Sequence, residues 1–334
     1  MSMKPSYIPP FTVSAEAINL IAQISAQIER YAIRLEQSDG LHLRKANRIK
    51  TIHSSLAIEG NKLTEGQVSD IIEGKTVVAP PRDIQEVKNA IATYDLFPRL
   101  DAFKVEDLLK AHGIMMQALT DEAGRFRRGG VGVFGETGCV HIAPPADRVP
   151  YLVGDLFEWL RSANDHLLIR SCVFHYEFEF IHPFIDGNGR MGRLWQSLIL
   201  TKLHPLFQHL PVENMVYANQ QAYYDAIAVS SRRGNSGPFI DFMLGEILRT
   251  LKSHQGEALD EGTNVGINVG TNVGENERKV LSIIAHTPQA TAREMAEVLG
   301  ITIRQCERIL AKLKEKGLIA RVGANKGGHW KIRL

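Results

Sequence analysis

Cysteine is scarce in this chain: Cys139, Cys172 and Cys306 are odd in number and show no Cys-x-x-Cys spacing. That argues against a disulfide framework and for reduced thiols in a cytosol. Long apolar runs are missing as well. No uncharged stretch reaches the ~18 residues of a membrane helix, and no basic-plus-apolar leader opens the chain, so a cytoplasmic protein with no membrane partner is expected. A large excess of one charge is also absent, the net being +2. What remains is ordinary soluble composition, 44% hydrophobic and 23% charged, and 334 residues leave room for two or three domains with ample cores.

The small net charge hides an asymmetry. Residues 276–334 hold 12 Lys+Arg against 5 Asp+Glu, or +7, while the rest holds 27 against 32, or −5. A compact basic unit on a mildly acidic body raises a nucleic-acid question for that unit alone. Between the two lies a stretch with Asn-Val-Gly at 264–266, 268–270 and 272–274. Such repetition builds no core and reads as a flexible linker over 257–275.

The chain opens with Pro5, Pro9 and Pro10, an irregular lead-in. From Ala15 to Leu35, Ile18, Ile21, Ile24, Ile28, Tyr31 and Ile33 recur at helical spacing and predict a helix packed on a core. A helical run through Ser55 and Glu59 stops at Gly60-Asn61, and Thr64-Glu65 starts the next. Two further helices are expected within 83–118, one of them carrying His112 on its apolar stripe. Glycines and β-branched residues from Gly124 to Ile142, stopped by Pro144-Pro145, predict a short β-hairpin. Arg125, Arg127 and Arg128 beside it suit a phosphate or an acidic target, or equally a solvated edge.

The richest stretch is His182-Pro183-Phe184-Ile185-Asp186-Gly187-Asn188-Gly189-Arg190, continued to Arg193, between apolar helical runs at 168–181 and 194–203. Gly187 and Gly189 let backbone turn sharply and approach a ligand, and N–H groups opening the second helix form an anion nest. Asp186 offers a hard oxygen for Mg²⁺, which usually binds through one or two carboxylates plus phosphates. Arg190 and Arg193, three apart, bring guanidinium forks suited to phosphate, and His182 takes a proton near neutral pH. Together they read as nucleotide phosphate chemistry. His175, seven before His182, lacks a metal-ligand spacing and reads as a core histidine.

These residues resemble the signature of the Fic family, His-x-Phe-x-(Asp/Glu)-Gly-Asn-Gly-Arg-x-x-Arg, at every defined position. The resemblance covers roughly residues 10–250 and implies a mostly α, Fic-type helical fold with a short β-hairpin flap. The implied arrangement is an N-terminal helical region with an inhibitory helix (1–100), a catalytic core (101–256), the linker and a C-terminal domain. It implies transfer of AMP from ATP, with Mg²⁺, to a Tyr, Thr or Ser hydroxyl of a target protein or of the chain itself. His182 is then the general base and Asp186 the metal ligand. Gly187, Asn188, Gly189, Arg190 and Arg193 hold the phosphates, and the flap holds the target segment by strand addition. His141 on the flap and Tyr223 become nucleotide-pocket residues, although the asparagine expected eight residues after Tyr223 is Ser231.

The family's inhibitory pattern, (Ser/Thr)-x-x-x-Glu-(Gly/Asn), fits Ser55–Gly60, Ser69–Gly74 and Thr271–Asn276. The first has family-like flanks, which makes Glu59 the expected brake on Arg193; a solvated helix-end carboxylate is the plain alternative. Some Fic enzymes also use this glutamate to remove AMP. Residues 276–334 resemble a winged helix-turn-helix. In its third helix Ile303, Cys306, Leu310 and Leu313 are expected inward, and Arg304, Gln305, Arg308 and Lys312 outward. DNA is the expected partner there and a protein-interaction module of the same shape the alternative. A homodimer, an ATP-sensing DNA-binding regulator and a Fic enzyme moving a different group stay open.

Overall fold

Sequence periodicity sets out most of the helices. The computed structural model describes residues 7–37, 40–135, 138–208, 210, 212–257, 280, 284, 289–299, 302–316, 318–322 and 329–332. The chain falls into two compact units, residues 1–252 and 253–334.

In the first unit α1 spans Ala15–Gln37, α2 Gly40–Ala57, α3 Glu65–Ile72, α4 Pro81–Leu96 and α5 Val105–Met115. The strands β1 (Gly132–Gly135) and β2 (Gly138–Ile142) pair antiparallel, with a register shift at Val133/Phe134. Then come α6 (Val149–Ser162), α7 (Leu167–Ile181), α8 (Asn188–Thr201), α9 (Val212–Ala218), α10 (Gln220–Arg233) and α11 (Gly237–Glu257). The fold is mostly helical.

Local chemistry places the boundaries. Gly60, at φ +90°, turns the chain out of α2. Thr64 then opens α3 with a capping box, its hydroxyl accepting from Gln67 N while Gln67 Oε1 accepts from Thr64 N. Pro81 starts α4, where its missing N–H costs nothing. Gly234, left-handed, ends α10.

The centre is α7 packed on α8. α7 is apolar nearly all round, so it is buried, as a helix without a polar face must be. Phe157 of α6 lies edge-on to Phe174 of α7 and tilts against Trp195 of α8, whose indole N–H donates to Ala102 O. α1 packs through Ala17, Leu20, Ile24, Ile28 and Tyr31, whereas Ile18 is 61% exposed. The inward seam thus runs one residue away from the expected Ile18. The lead-in is tied down at Pro10, whose carbonyl accepts from Ser236 N, and at Ser14, which donates to Asp241.

In the second unit, helices Ala292–Leu299 and Ile303–Glu315 precede antiparallel β3 (Ile319–Val322) and β4 (His329–Ile332). Thr302 and Gln305 form the capping box of the second of these helices. Cys306, Leu310 and Leu313 point inward as expected, but Ile303, the first residue of its helix, is 45% exposed. Arg304, Arg308 and Lys312 face solvent. Residues 258–279, 281–283, 285–288 and 323–328, which take in nearly all of the expected linker, lie outside the described residues.

Candidate active site

The α7–α8 connection begins with strain. His182 caps α7 in the left-handed region, φ 50° and ψ 62°, a conformation costing a non-glycine residue on the order of 1–2 kcal/mol and further disfavoured before Pro183. Asn188 then braces the loop from within, its amide closing a two-way clasp with Phe184 N and O at 2.9 Å each. Gly187, at φ +85°, precedes the first turn of α8; a Cβ there would lie 2.7 Å from Met116 Sδ. The second half of the signature is therefore helical from Asn188, earlier than the run at 194–203 suggested.

Asp186 sits at the mouth with its side chain 40% exposed. Its Oδ1 accepts from its neighbour Gly187 N at 2.6 Å and from Arg190 Nη2 at 2.9 Å, and Arg82 Nη2 approaches Oδ2 at 3.5 Å. Of the three amides expected to face an anion, that of Gly187 is turned to this carboxylate. Arg190 is buried, and its Nη1 lies 3.5 Å from Glu86 Oε1, while Glu86 Oε2 accepts from Asn61.

Arg193 is buried on the other side of the same turn. Its Nη2 donates to Ser55 O at 2.9 Å and to Glu59 Oε1 at 2.8 Å. Burial alone would lower the guanidinium's pKa, but the Glu59 carboxylate beside it holds it above the usual value. A Cβ on Gly189 would meet Glu59 Oε1 at 2.6 Å and Arg193 Nη1 at 3.0 Å. The carboxylate thus lies in the space glycine leaves over the first turn of α8, where an anion is most favoured. The alternative Glu73 instead pairs with Lys75 at 2.8 Å on the surface, and Thr271–Asn276 is outside the described residues.

Supporting residues arrive from distant sequence. His112 stacks on Phe184 with centroids 3.6 Å apart. Its Nδ1 accepts from Gly124 N at 2.9 Å, so the proton is on Nε2, which donates to Asp186 O at 3.0 Å. Burial pushes its pKa down to about 4, keeping it neutral. Glu179, one turn before His182, brings Oε2 within 4.0 Å of His182 Nδ1, and its own carbonyl lies 3.4 Å from that nitrogen. Burial raises the Glu179 carboxyl to about 7, against the pull of Arg193.

Two expectations change. Arg127 is not a phosphate or surface contact: it is 2% exposed and bonded to backbone carbonyls. Tyr223 is 2% exposed with its hydroxyl 3.0 Å from His175 Nε2, so it is a core residue behind the site, and Tyr224, 48% exposed, is the tyrosine that meets solvent. The register of Tyr223 on α10 turns it toward Phe239 and His175. His175 is the packed histidine expected, also bonded to Gln196 at 2.6 Å. His141 pairs in register with Val133, and its side chain lies outside what is described. Sequence reading missed His112 and Arg127 because each acts through partners tens of residues away; the positive φ forced on the residue before Pro183 has no sequence mark.

Whether these residues suit ATP and Mg²⁺ can be judged from unspent donors. Among the described residues, Nε of Arg190 and Nε of Arg193 are buried without hydrogen-bond partners, and Arg193 borders the cradle at Gly189. No group of three or more His, Cys, Asp or Glu among them could hold a metal alone. One half-exposed carboxylate beside unspent guanidiniums fits Mg²⁺ carried by a polyphosphate.

The Fic/DOC family matches residues 100–200, and a winged helix-turn-helix DNA-binding family matches residues 275–320. The crystal structure of a Fic family protein from Desulfovibrio desulfuricans G20 is 41% identical, covers 98% of each chain and has a TM-score of 0.74. Residues 134–508 of Fic-1 from C. elegans, 21% identical over 73% of each chain with a TM-score of 0.58, share the fold. The protein adenylyltransferase Fic of Aedes aegypti is 28% identical over 239 residues, 67% of this chain and 45% of that one. That of Culex quinquefasciatus is 30% identical over 61% of this chain and 41% of its own. The chain spans less than half the length of these curated relatives.

Proposed function

The chain belongs to the Fic family, and from that premise we propose that it is a protein adenylyltransferase that moves AMP from ATP to a protein hydroxyl and is restrained by Glu59. The observation that carries the reading is the Glu59 carboxylate lying over Gly189 and paired with Arg193 at 2.8 Å. A negative group in that place marks where phosphate oxygens are favoured, and it is positioned to keep them out.

With ATP bound, Arg190 and Arg193 supply positive charge to the phosphates, together with the Asn188 and Gly189 amides at the head of α8. Asp186 is the residue that would hold Mg²⁺, which supplies further charge neutralisation on the polyphosphate. With His182 Nδ1 turned to the Glu179 carbonyl, proton transfer falls to Nε2. The target's hydroxyl oxygen bonds to the α-phosphorus, its proton passes to His182, and the bond to the leaving pyrophosphate breaks. General-base help of this kind is typically worth about 10²–10⁴ in rate, with positioning and electrostatics carrying most of the rest. Strand addition to the β1–β2 edge would align the target segment, making that strand pair the flap.

Glu59 restrains this by competing with phosphate for Arg193. An ion pair in a water-poor site gains little net stability because desolvation offsets it, so a competing anion can displace it. The second unit favours a further role: its exposed Arg304, Arg308 and Lys312 suit duplex DNA, so the enzyme would act where the unit docks.

The test is intact-mass spectrometry of the purified chain after incubation with ATP and Mg²⁺. Glu59→Gly should gain AMP at least about 10-fold faster than wild type, and Glu59→Gly with His182→Ala should lose about 10²-fold or more of that rate while still binding ATP. Equal rates with and without His182 would refute the general-base role; no AMP adduct and no pyrophosphate with any target lysate would leave the ATP-sensing regulator in front.

A further inference from the structure

Arg127 carries a full charge into the interior, and among the described residues no carboxylate pairs with it. Its Nε donates to His182 O at 2.7 Å, Nη1 to Gly129 O at 2.9 Å, and Nη2 to Pro144 O at 2.6 Å and Ile181 O at 3.2 Å. Its backbone N–H donates to Pro183 O at 2.9 Å. Four guanidinium N–H groups and the amide are therefore spent on five carbonyls.

An unpaired buried cation is normally prohibitive. Two of these carbonyls explain its tolerance. Ile181 and His182 end α7, where carbonyls have no intrahelical partner and the helix dipole is negative. Arg127 thus caps α7 from outside, and burial draws its pKa below the usual arginine value without an acid to restore it. The other two partners lie just before β1 and just after β2, so one side chain grips both feet of the strand pair.

The grip falls on the most strained residue of the loop. His182 adopts φ 50° before a proline, and such conformations persist only where surroundings over-determine them. The left-handed turn presents the His182 carbonyl to Arg127 Nε and thereby sets the direction of the imidazole. Only a planar fork reaches carbonyls on both sides at once; a lysine ammonium has no such fixed geometry.

We propose that Arg127 is a positioning residue: it locks His182 in its left-handed conformation and ties it to both feet of the β1–β2 pair, so that the general base and the target-aligning edge move as one piece. This rests on the adenylyltransferase reading for its catalytic consequence, though not for its structural one.

The experiment uses the full chain carrying Glu59→Gly, with Arg127→Lys and Arg127→Met added separately. Expected for both is a 10–100-fold fall in kcat for AMP transfer, the scale of an ångström's misplacement, with ATP affinity changed less than about 3-fold. Lysine should recover part of the rate. The imidazole NMR signals of His182 should shift, and amide exchange across residues 129–145 should accelerate. In the unsubstituted chain the amides of Arg127, Ala143 and His182 should exchange in one common opening, which tests the coupling even where a variant folds poorly. Separate exchange rates for those amides, unchanged His182 signals in Arg127→Lys, or kcat falling only in step with ATP affinity would overturn the proposal. If the Glu59→Gly parent transfers no AMP, the enzymatic reading fails by itself, while the exchange and NMR arms still decide the role of Arg127.

Discussion

Glu59 and Arg193 meet at 2.8 Å although 134 residues separate them, and the meeting is possible because position 189 has no side chain. Any Cβ there would collide with the carboxylate. A similar dependence holds at Asp186, the proposed metal ligand. His112 fixes the Asp186 carbonyl through a single hydrogen bond, while its ring fills space against Phe184. His112→Phe keeps the stacking and removes the bond. Mg²⁺ affinity in the presence of ATP, read by calorimetry, should weaken by about 10-fold, as loss of a group supporting a metal ligand typically does. An unchanged Mg²⁺ affinity would show that the loop holds Asp186 without help.

At the scale of elements, the end of α2 and the turn after it, which carries Glu59, are clamped from several sides. Ser54 donates to Asn214 of α9, Arg193 of α8 donates to Ser55 O, and Gln220 of α10 donates to Ile58 O at 3.3 Å. Under the proposed function, displacement of Glu59 by phosphate would therefore be a side-chain movement on a held backbone. Beside this clamp Tyr94 donates to Glu213 Oε1 at 2.8 Å, and burial raises the Glu213 carboxyl from 4.5 to about 7. A raised carboxyl pKa means that the native state holds a proton the unfolded chain has released between those values. Stability from this group is therefore full below about 4.5 and lost as pH rises through 7. Glu213→Gln, which cannot ionise, should gain on wild type by on the order of 1–3 kcal/mol between pH 5 and pH 8 in urea unfolding. A difference between the two proteins that does not vary with pH would contradict this.

At the scale of the molecule, a helical unit and a small basic unit share one chain. No described helix is long and apolar enough to cross a membrane. If the winged unit binds duplex DNA, affinity should fall steeply with salt. Arg308→Ala should weaken binding to all sequences alike and flatten the salt slope by roughly one if it contacts a phosphate. A slope unaffected by Arg304→Ala, Arg308→Ala and Lys312→Ala would assign the unit to protein partners.

What the sequence determined by itself was whatever lies within a turn or two along the chain. The helical periodicities, the helix start at Thr64, the glycine turns and the contiguous stretch from His182 to Arg193 are local, and local backbone chemistry is written in adjacent residues. Even there the inward seam of α1 and the placement of Ile303 escaped it, because helical spacing names a face only to within a residue. Tertiary structure alone decided which distant groups meet. It set Glu59 over Gly189, turned Tyr223 into the core, gave His112 to Asp186, and drew Arg127 out of an arginine-rich surface pattern into a cage of carbonyls. The reason is that these assignments depend on which orphaned helix-end groups and which buried charges must satisfy each other once the helices pack. Sequence distance carries no information about that pairing.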